Sequence, residues 1–156
     1  MEKIAVFAGT FDPFTLGHFE IVERARKVFD KVIVAIADDA GSKKCKFNAK
    51  NRLKIAKKSL ENMDGVDIVI FKGLLVDFMK ENNITTLVRG LRNTIDFEYE
   101  KTLFNAYKSQ YDEIESYYLI CSSEYSHISS SLVREVLAFD GDIEKYVCAS
   151  ALPLIK

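Results

Sequence analysis

The 156-residue sequence predicts a doubly wound α/β fold, in which helices cover both faces of a five-stranded parallel sheet. Five apolar runs rich in β-branched residues alternate with segments of helical periodicity, and this alternation is typical of βαβ crossovers. No internal repeat, low-complexity stretch or flexible linker interrupts the chain, and only two prolines occur. The length suits one domain with a sizeable core. We therefore expect a single Rossmann-like domain over residues 1–156.

Five strands are predicted from apolar runs in which β-branched and aromatic residues predominate. The first run, Ile4 to Ala8, is followed by Gly9 and by the turn-forming pair Asp12-Pro13. In chain order the strands are expected at Lys3–Ala8, Lys31–Ala37, Val66–Phe71, Thr85–Val88 and Ser116–Cys121.

Six helices are predicted between and after these strands, from apolar residues at helical spacing. Asn48 is a suitable N-cap for the second helix, and Ser129 or Ser130 for the fifth, because their side-chain oxygens can accept a hydrogen bond from a free backbone N–H. The helices are expected at Gly17–Phe29, Ala49–Met63, Leu75–Asn82, Asp96–Tyr111, Ser130–Phe139 and Ile143–Val147. Strands and helices in this order form a mostly parallel sheet.

Composition and charge exclude several functional classes. The formal net charge of −1 provides no general attraction to nucleic acid or to an anionic membrane surface. The first strand is predicted to begin almost at residue 1, so no signal peptide or membrane-spanning helix fits the sequence. Cys45, Cys121 and Cys148 are widely spaced and form no C-x-x-C pair, which favours reduced thiols over disulfides or a zinc site. We therefore expect a cytoplasmic protein.

The loop after the first strand, residues 9–18, has the sequence GTFDPFTLGH. A strand, a glycine-bearing turn and a helix start together form a pocket in which backbone N–H groups can face a phosphate. Gly9 lets the backbone approach a ligand, and Thr10 offers both a hydroxyl and an N–H. Near a helix N-terminus the dipole disfavours a protonated imidazole, so a neutral His18 can donate to a phosphate oxygen. The alternative is a histidine that only satisfies a local carbonyl.

Serine and arginine residues follow two of the other strands. The run Ser129–Ser131 begins a predicted helix, where hydroxyls and free N–H groups form a neutral cradle for an anion. Arg89 and Arg92 can each hold phosphate oxygens in bidentate fashion, and Gly90 between them permits a sharp turn. Taken alone, these features also fit helix capping and a surface arginine pair. Because the loops after parallel strands emerge on one side of the sheet, we expect them to meet at a single rim.

The basic stretch after the second strand has two parts. Lys43 and Lys44 lie on a strand-end loop, where an acidic substrate would arrive. The other basic residues are expected to belong mainly to a solvated helix face: Lys46, Lys50, Arg52, Lys54, Lys57 and Lys58.

Acidic residues occur early in the fourth predicted helix, at Asp96, Glu98 and Glu100, where they suit the helix dipole. Their spacing does not show which of them faces a ligand.

These motifs together resemble a known family. The T-x-G-H arrangement that ends in His18 is similar to the signature of the nucleotidyltransferase superfamily. The chain resembles the bacterial phosphopantetheine adenylyltransferases over nearly its whole length, and the likeness is carried by the blocks GTFDPFTLGH, RGLR, DFEYE and ISSSLVRE and by the loop Ser42-Lys43-Lys44. The resemblance implies transfer of the adenylyl group of ATP to 4′-phosphopantetheine, with dephospho-coenzyme A and pyrophosphate as products. It further implies Mg²⁺ bound with ATP and a homohexamer, and such a site would also accept coenzyme A as a feedback ligand.

The same resemblance assigns roles to individual residues. His18 would stabilise the transition state, with Lys43 and Arg92 as further catalytic cations and no metal ligand expected from a protein side chain. Phosphopantetheine contacts are implied for Thr10, Lys43, Leu75 and Arg89. ATP contacts are implied for Thr10, Phe11, His18, Gly90, Leu91, Arg92, Glu100, Tyr125, Ser126, His127, Ile128, Ser129, Ser130 and Ser131. The long lead at residues 38–41 leaves open whether Lys43 or Lys44 faces the substrate.

The chemistry of such a reaction agrees with the residues present. A phosphate nucleophile is already ionised at neutral pH, so in-line attack on ATP needs no general base. One alternative is another transferase of the superfamily, acting on nicotinamide mononucleotide, glycerol phosphate or phosphoethanolamine. A second is a nucleotide-binding module without turnover. A flavodoxin-like domain is disfavoured, because the first turn lacks a hydroxyl-rich phosphate loop.

Overall fold

The computed structural model describes residues 1–38 and 44–156 of the protein. Within these residues five strands form one parallel sheet: β1 (Ile4–Gly9), β2 (Lys31–Ala37), β3 (Val66–Phe71), β4 (Thr86–Leu91) and β5 (Glu115–Ile120). The α-helices of the same residues are α1 (Leu16–Ala25), α2 (Ala49–Ser59), α3 (Leu75–Glu81), α4 (Thr94–Gln110), α5 (Ser130–Ala138) and α6 (Leu152–Ile155). The predicted α/β class is therefore confirmed. In the described part of the chain no helix has the length and apolar character needed to cross a bilayer.

The strand order β3-β2-β1-β4-β5 reverses direction between β1 and β4. The chain first moves outwards from β1 through β2 to β3, then returns to place β4 on the other side of β1. β1 and β2 are paired over six residues, whereas β1 and β4 are paired only at Val6↔Leu87 and Phe7↔Val88. The carboxyl ends of β1 and β4 are thus not paired with each other. Such a switch point is where open α/β sheets form their ligand crevices.

Helices cover both faces of the sheet. Successive side chains of β1 point to opposite faces, so they are buried against different helices. Ala5 and Phe7 belong to an apolar cluster that also contains buried residues of α1, α2 and α5. Val6 and Ala8 belong to a second cluster, on the other face, which includes the buried residues Leu75 and Met79 of α3. Burial on both faces explains why the strands appear in the sequence as continuous apolar runs.

Two predicted N-caps are confirmed, and the strand bounds agree to within three residues. The Asn48 side chain accepts from the N–H of Asn51 at 2.9 Å, and Ser129 Oγ accepts from the N–H of Leu132 at 3.0 Å. α1 and α2 each end four residues before the predicted Phe29 and Met63, while the ends of the next three helices move by one residue. Differences of one or two residues reflect fraying at helix termini.

The last predicted helix, Ile143–Val147, is wrong. These residues form turns, in which Ile143 and Val147 are both buried, so their spacing of four reflects packing rather than a helix. A 3₁₀ turn at Ala149–Ala151 and the short helix α6 follow instead. Pro153 lies in the first turn of α6, where a missing N–H costs nothing.

Gly90 lies inside β4, so the sharp turn expected there is also wrong. A Cβ atom on Gly90 would lie 3.0 Å from Cδ1 of Ile21 in α1. The glycine therefore permits α1 to pack closely on β4, and the strand runs on through Arg89 to Leu91.

The exposed basic face of α2 is confirmed for its lysines and wrong for Arg52. Lys50, Lys54, Lys57 and Lys58 are exposed. The Arg52 side chain is 0 % exposed, and its guanidinium donates to three backbone carbonyls. Nε donates to Phe47 at 3.0 Å, and Nη1 donates to Thr10 at 2.7 Å and to Ala37 at 2.8 Å. This buried cation joins α2 to the carboxyl ends of β1 and β2.

Candidate active site

A cleft of about 480 Å³ opens where the carboxyl ends of β1 and β4 separate. This volume is typical of a pocket for a small ligand. Twelve of the residues singled out from the sequence line it: Thr10, Phe11, His18, Arg89, Gly90, Arg92, Glu100, Tyr125, Ile128, Ser129, Ser130 and Ser131. The convergence of the loops at one rim is therefore confirmed.

Some of the expected residues do not line the cleft. Leu91, Ser126 and His127 are sequence neighbours of lining residues without lining it themselves. Leu75 is buried in α3, within the apolar cluster on the opposite side of the sheet from α1. Lys43 lies outside the described residues, whereas Lys44 is described and exposed.

Other lining residues were not singled out as ligand contacts from the sequence: Asp12, Thr15, Ile21, Asp96, Tyr99, Cys121 and Arg134. Asp12 and Thr15 belong to the GTFDPFTLGH loop itself. Arg134 follows Ser131 at a spacing of three, which places both on one side of α5, and that spacing is the signal that could have found it.

His18 is held in one tautomer by the start of α1. Thr15 caps the helix, and its backbone N–H donates to His18 Nδ1 at 3.0 Å. A ring nitrogen that accepts a hydrogen bond carries no proton, so the proton of the neutral imidazole is on Nε2. Among the described residues Nε2 has no hydrogen-bond partner. The ring therefore offers the cleft one N–H donor.

The His18 imidazole is neutral at physiological pH. His18 lines the cleft and is partly buried. Its ring packs against the rings of Phe11 and Phe14, whose centroids are 4.9 and 5.3 Å away. This burial, together with the positive charge of Arg92, lowers the pKa of His18 from 6.5 to about 3. The neutral ring expected from the sequence is supported, but burial rather than the helix terminus is the main cause.

Acidification gives a direct test of this buried neutral histidine. We expect the His18 ring to stay unprotonated as the pH falls from 7 to 4, since its pKa is about 3. The unfolded chain binds a proton near pH 6.5, so His18 contributes stability above that pH and this contribution is lost progressively between pH 6.5 and 3. NMR titration of a His127→Asn variant, which retains one imidazole, measures the pKa directly. A midpoint near 6.5 would contradict the burial argument.

The two arginines of the RGLR block differ in their surroundings. The Arg89 side chain is 19 % exposed and pairs with Glu100 of α4 at 2.7 Å. The Arg92 side chain is 39 % exposed, and its Nε donates to Asp96 at 3.2 Å. Arg89 is thus a fixed, mostly buried cation, and Arg92 lies at the more open side of the cleft. They do not form a surface arginine pair.

The start of α5 is tied to the loop after β1. Ser130 Oγ donates to the carbonyl oxygen of Pro13 at 2.8 Å, and Nη1 of Arg134 donates to that of Asp12 at 2.7 Å. Arg134 also donates to Ser131 Oγ at 3.1 Å. These contacts hold the start of α5 beside the loop that carries His18. The hydroxyl proton of Ser130 is used in this contact, so the groups left for an anion are chiefly the free backbone N–H groups of the helix start.

Asp12 and Gly9 shape the floor of the cleft. The buried Asp12 carboxylate accepts from the N–H groups of Lys46 and Phe47, at 2.8 and 2.9 Å. A Cβ atom on Gly9 would lie 3.1 Å from the Phe11 ring. Within the protein, glycine at this position is therefore explained by the packing of Phe11, and no ligand is needed to account for it.

The fold and the cleft define a class of nucleotidyl-group transferases. The family described as cytidylyltransferase-like matches residues 6–136, and the chain belongs to it. Within it, the resemblance to phosphopantetheine adenylyltransferases is confirmed. The enzyme of that name from Thermotoga neapolitana is 44% identical over 144 residues, which cover 92% of this chain and 89% of that protein. The one from Campylobacter concisus is 44% identical over 156 residues, covering 100% of this chain and 99% of that protein.

Solved structures show the same fold at low sequence identity. A bifunctional NMN adenylyltransferase/ADP ribose pyrophosphatase from Francisella tularensis superposes with a TM-score of 0.72 at 18% identity, over 96% of this chain and 46% of that one. A protein from Vibrio parahaemolyticus, provisionally assigned as a nicotinate-nucleotide adenylyltransferase, gives a TM-score of 0.69 at 20% identity over 99% of both chains. At these identities the likeness concerns the fold alone.

Proposed function

We propose that the protein transfers the adenylyl group of ATP to 4′-phosphopantetheine, forming dephospho-coenzyme A and pyrophosphate. The observation that carries this proposal is the cleft at the switch point, where a neutral His18 donor, two arginines and the start of α5 face one space. Two anionic reactants can be held there end to end. The near full-length similarity to enzymes named for this reaction supports the same substrates.

The reaction is proposed to be an in-line displacement at phosphorus. A phosphate oxygen of phosphopantetheine forms a bond to the α-phosphorus of ATP, the bond to the β-phosphate oxygen breaks, and pyrophosphate leaves. Because the attacking phosphate is ionised at neutral pH, the protein has no proton to remove. Its contribution is to position both reactants and to stabilise the charge on the α-phosphate oxygens. His18 Nε2 and the Arg92 guanidinium are the proposed donors.

The two substrates are proposed to use different parts of the cleft. For phosphopantetheine the proposed contacts are Thr10, Lys43 or Lys44, Leu75 and Arg89. For ATP they are Thr10, Phe11, His18, residues 90–92 and residues 125–131. Glu100, which the resemblance also assigns to ATP, is engaged by Arg89. The hydrogen bonds from α5 to the carbonyl oxygens of Asp12 and Pro13 support the second set, since they bring residues 129–131 beside the loop that carries Thr10.

Mg²⁺ is proposed to enter with ATP and to neutralise part of the triphosphate charge. In the described ranges no group of three or more metal-ligating side chains comes together. The carboxylates that line the cleft are already engaged: Asp12 by two N–H groups, Asp96 by Arg92, and Glu100 by Arg89. The proposed ligands of the cation are therefore the phosphate oxygens of ATP.

Assembly, location and feedback are further parts of the proposal. We propose a cytoplasmic homohexamer that accepts coenzyme A as a feedback ligand. Exposed apolar residues on α4 and β5 support assembly, because Ile95 is 78% exposed and Ile120 74%. The three free cysteines support a reducing compartment. Coenzyme A contains both the adenylate and the phosphopantetheine portions that the cleft would hold.

One incubation tests the proposed function. Purified protein with ATP, Mg²⁺ and phosphopantetheine is expected to release pyrophosphate and to form dephospho-coenzyme A. Parallel reactions with nicotinamide mononucleotide, glycerol phosphate or phosphoethanolamine as acceptor should release none. Turnover with one of these acceptors instead would identify another transferase of the superfamily. Tight ATP binding without pyrophosphate from any acceptor would indicate a non-catalytic module.

A further inference from the structure

Glu100 is the only buried residue among the seventeen of α4, all of which are described. A carboxylate is an unusual residue for the most buried position of a helix, because removal of a charge from water is costly unless the charge is paired. The Glu100 side chain is 10% exposed and lies at the edge of the cleft. Its burial therefore requires a partner, and that partner is Arg89.

The pair has bidentate geometry. Nε of Arg89 donates to Glu100 Oε2 at 2.8 Å, and Nη2 donates to Oε1 at 2.7 Å. The third nitrogen, Nη1, donates at 2.9 Å to the carbonyl oxygen of Ala8 in β1. Every nitrogen of the guanidinium thus has an acceptor within the protein. Burial acts to lower the pKa of Arg89, but the hydrogen bonds and charge of Glu100 outweigh it and raise the pKa.

The arrangement leaves Arg89 with two N–H groups for a ligand. A guanidinium has five, of which Glu100 takes two and Ala8 takes one, so one remains on each terminal nitrogen. Among the described residues neither has an acceptor. A free arginine side chain loses rotamer entropy when it is fixed. Because Glu100 and the carbonyl oxygen of Ala8 already hold the guanidinium, this loss precedes substrate binding.

We propose that Glu100 is a positioning residue that acts through Arg89: it fixes the guanidinium so that the two remaining N–H groups meet the phosphate of phosphopantetheine. This inference rests on the proposed function and deepens it. Glu100 then affects the acceptor substrate, although it lies on α4 and touches that substrate only through Arg89. A direct contact between the carboxylate and ATP predicts the opposite substrate dependence.

Steady-state kinetics of Glu100→Gln separate the two roles. The amide keeps the size of the side chain, but it loses the charge and one of the two acceptor oxygens. We expect the KM for phosphopantetheine to rise about tenfold, as for loss of one charge-assisted hydrogen bond, while the KM for ATP stays within about twofold. Glu100→Asp, which restores the charge, should recover part of the loss. Glu98→Gln, on the exposed side of the same helix, is the matched control and should change neither KM.

A double substitution provides the second readout. If Glu100 acts only through Arg89, adding Glu100→Gln to Arg89→Leu should raise the phosphopantetheine KM no further than Arg89→Leu alone. A rise in the KM for ATP in Glu100→Gln, or effects that multiply in the double variant, would overturn the inference. Should Arg89→Leu fail to fold, the two single Glu100 variants still decide between the roles. Absence of dephospho-coenzyme A formation by the unaltered protein is a different result, which contradicts the proposed function itself.

Discussion

Replacement of His18 by alanine is expected to lower kcat by about 10²–10³-fold while the Kd for ATP changes by less than about threefold. The reason is the single N–H that Nε2 offers to the cleft, since Nδ1 is occupied by the Thr15 backbone. A donor aimed at charge that develops only in the transition state contributes to kcat and little to ground-state binding. Pre-steady-state turnover and equilibrium ATP binding measure the two quantities separately.

His18→Gln is the informative companion to this variant. Its amide NH₂ can reach the region of Nε2, so we expect it to retain more activity than the alanine variant. Turnover of His18→Ala close to that of the unaltered protein would contradict a catalytic role. A loss of ATP affinity with kcat unchanged would instead make His18 an ordinary binding residue.

Replacement of Arg52 by methionine is expected to destabilise the protein by about 3–5 kcal/mol. Methionine fills much of the space but leaves the carbonyl oxygens of Thr10, Ala37 and Phe47 without their donor. Each buried acceptor without a partner costs about 1–3 kcal/mol, and relief from burying the charge offsets part of the sum. The midpoint of urea unfolding measures the loss.

Lys54→Met supplies the control, because Lys54 lies two residues further along α2 and is exposed. We expect its free energy of unfolding to stay within about 0.5 kcal/mol of the unaltered protein. Equal midpoints for the two methionine variants would show that the buried guanidinium has no net stabilising role. Arg52→Lys should lie between them, since one ammonium cannot reach all three carbonyls with the same geometry.

The spacing of the apolar residues in α2 predicts that position 52 is buried. The buried positions of α2 are Arg52, Ile55, Ala56 and Ser59, which follow the spacing i, i+3, i+4 and i+7 of a helix face. The charge of the arginine predicts the solvated face, whereas its position in the helix places it on the apolar face. Position was the better guide here, since a guanidinium can be buried wherever free carbonyls surround it.

Convergence of the site could be predicted, and its internal pairing could not. Parallel strands present their carboxyl ends at one edge, which is enough to bring His18, Arg89 and Ser130 to one cleft. The pairing of Arg89 with Glu100 depends on how α4 is rotated against β4. The spacing of Leu103, Phe104 and Tyr107, which are partly buried, places Glu100 on the same inward face of α4, but it does not show that Arg89 is the partner of that carboxylate. The sequence also wrongly predicts a helix at Ile143–Val147. Turns that bury two apolar residues four positions apart have the same sequence pattern as one helical turn.

The anchoring of β1 and β2 by Arg52 has a consequence for local opening. Amide groups at the floor of a binding cleft often exchange with solvent deuterium through small fluctuations that leave the rest of a domain intact. Here Thr10, just after β1, and Ala37, the last residue of β2, are both bound by one buried side chain in the first turn of α2, so neither can move away without breaking a buried hydrogen bond to that helix. The floor of the cleft should therefore exchange at the rate of global unfolding, as a rigid platform on which only the outer loops move.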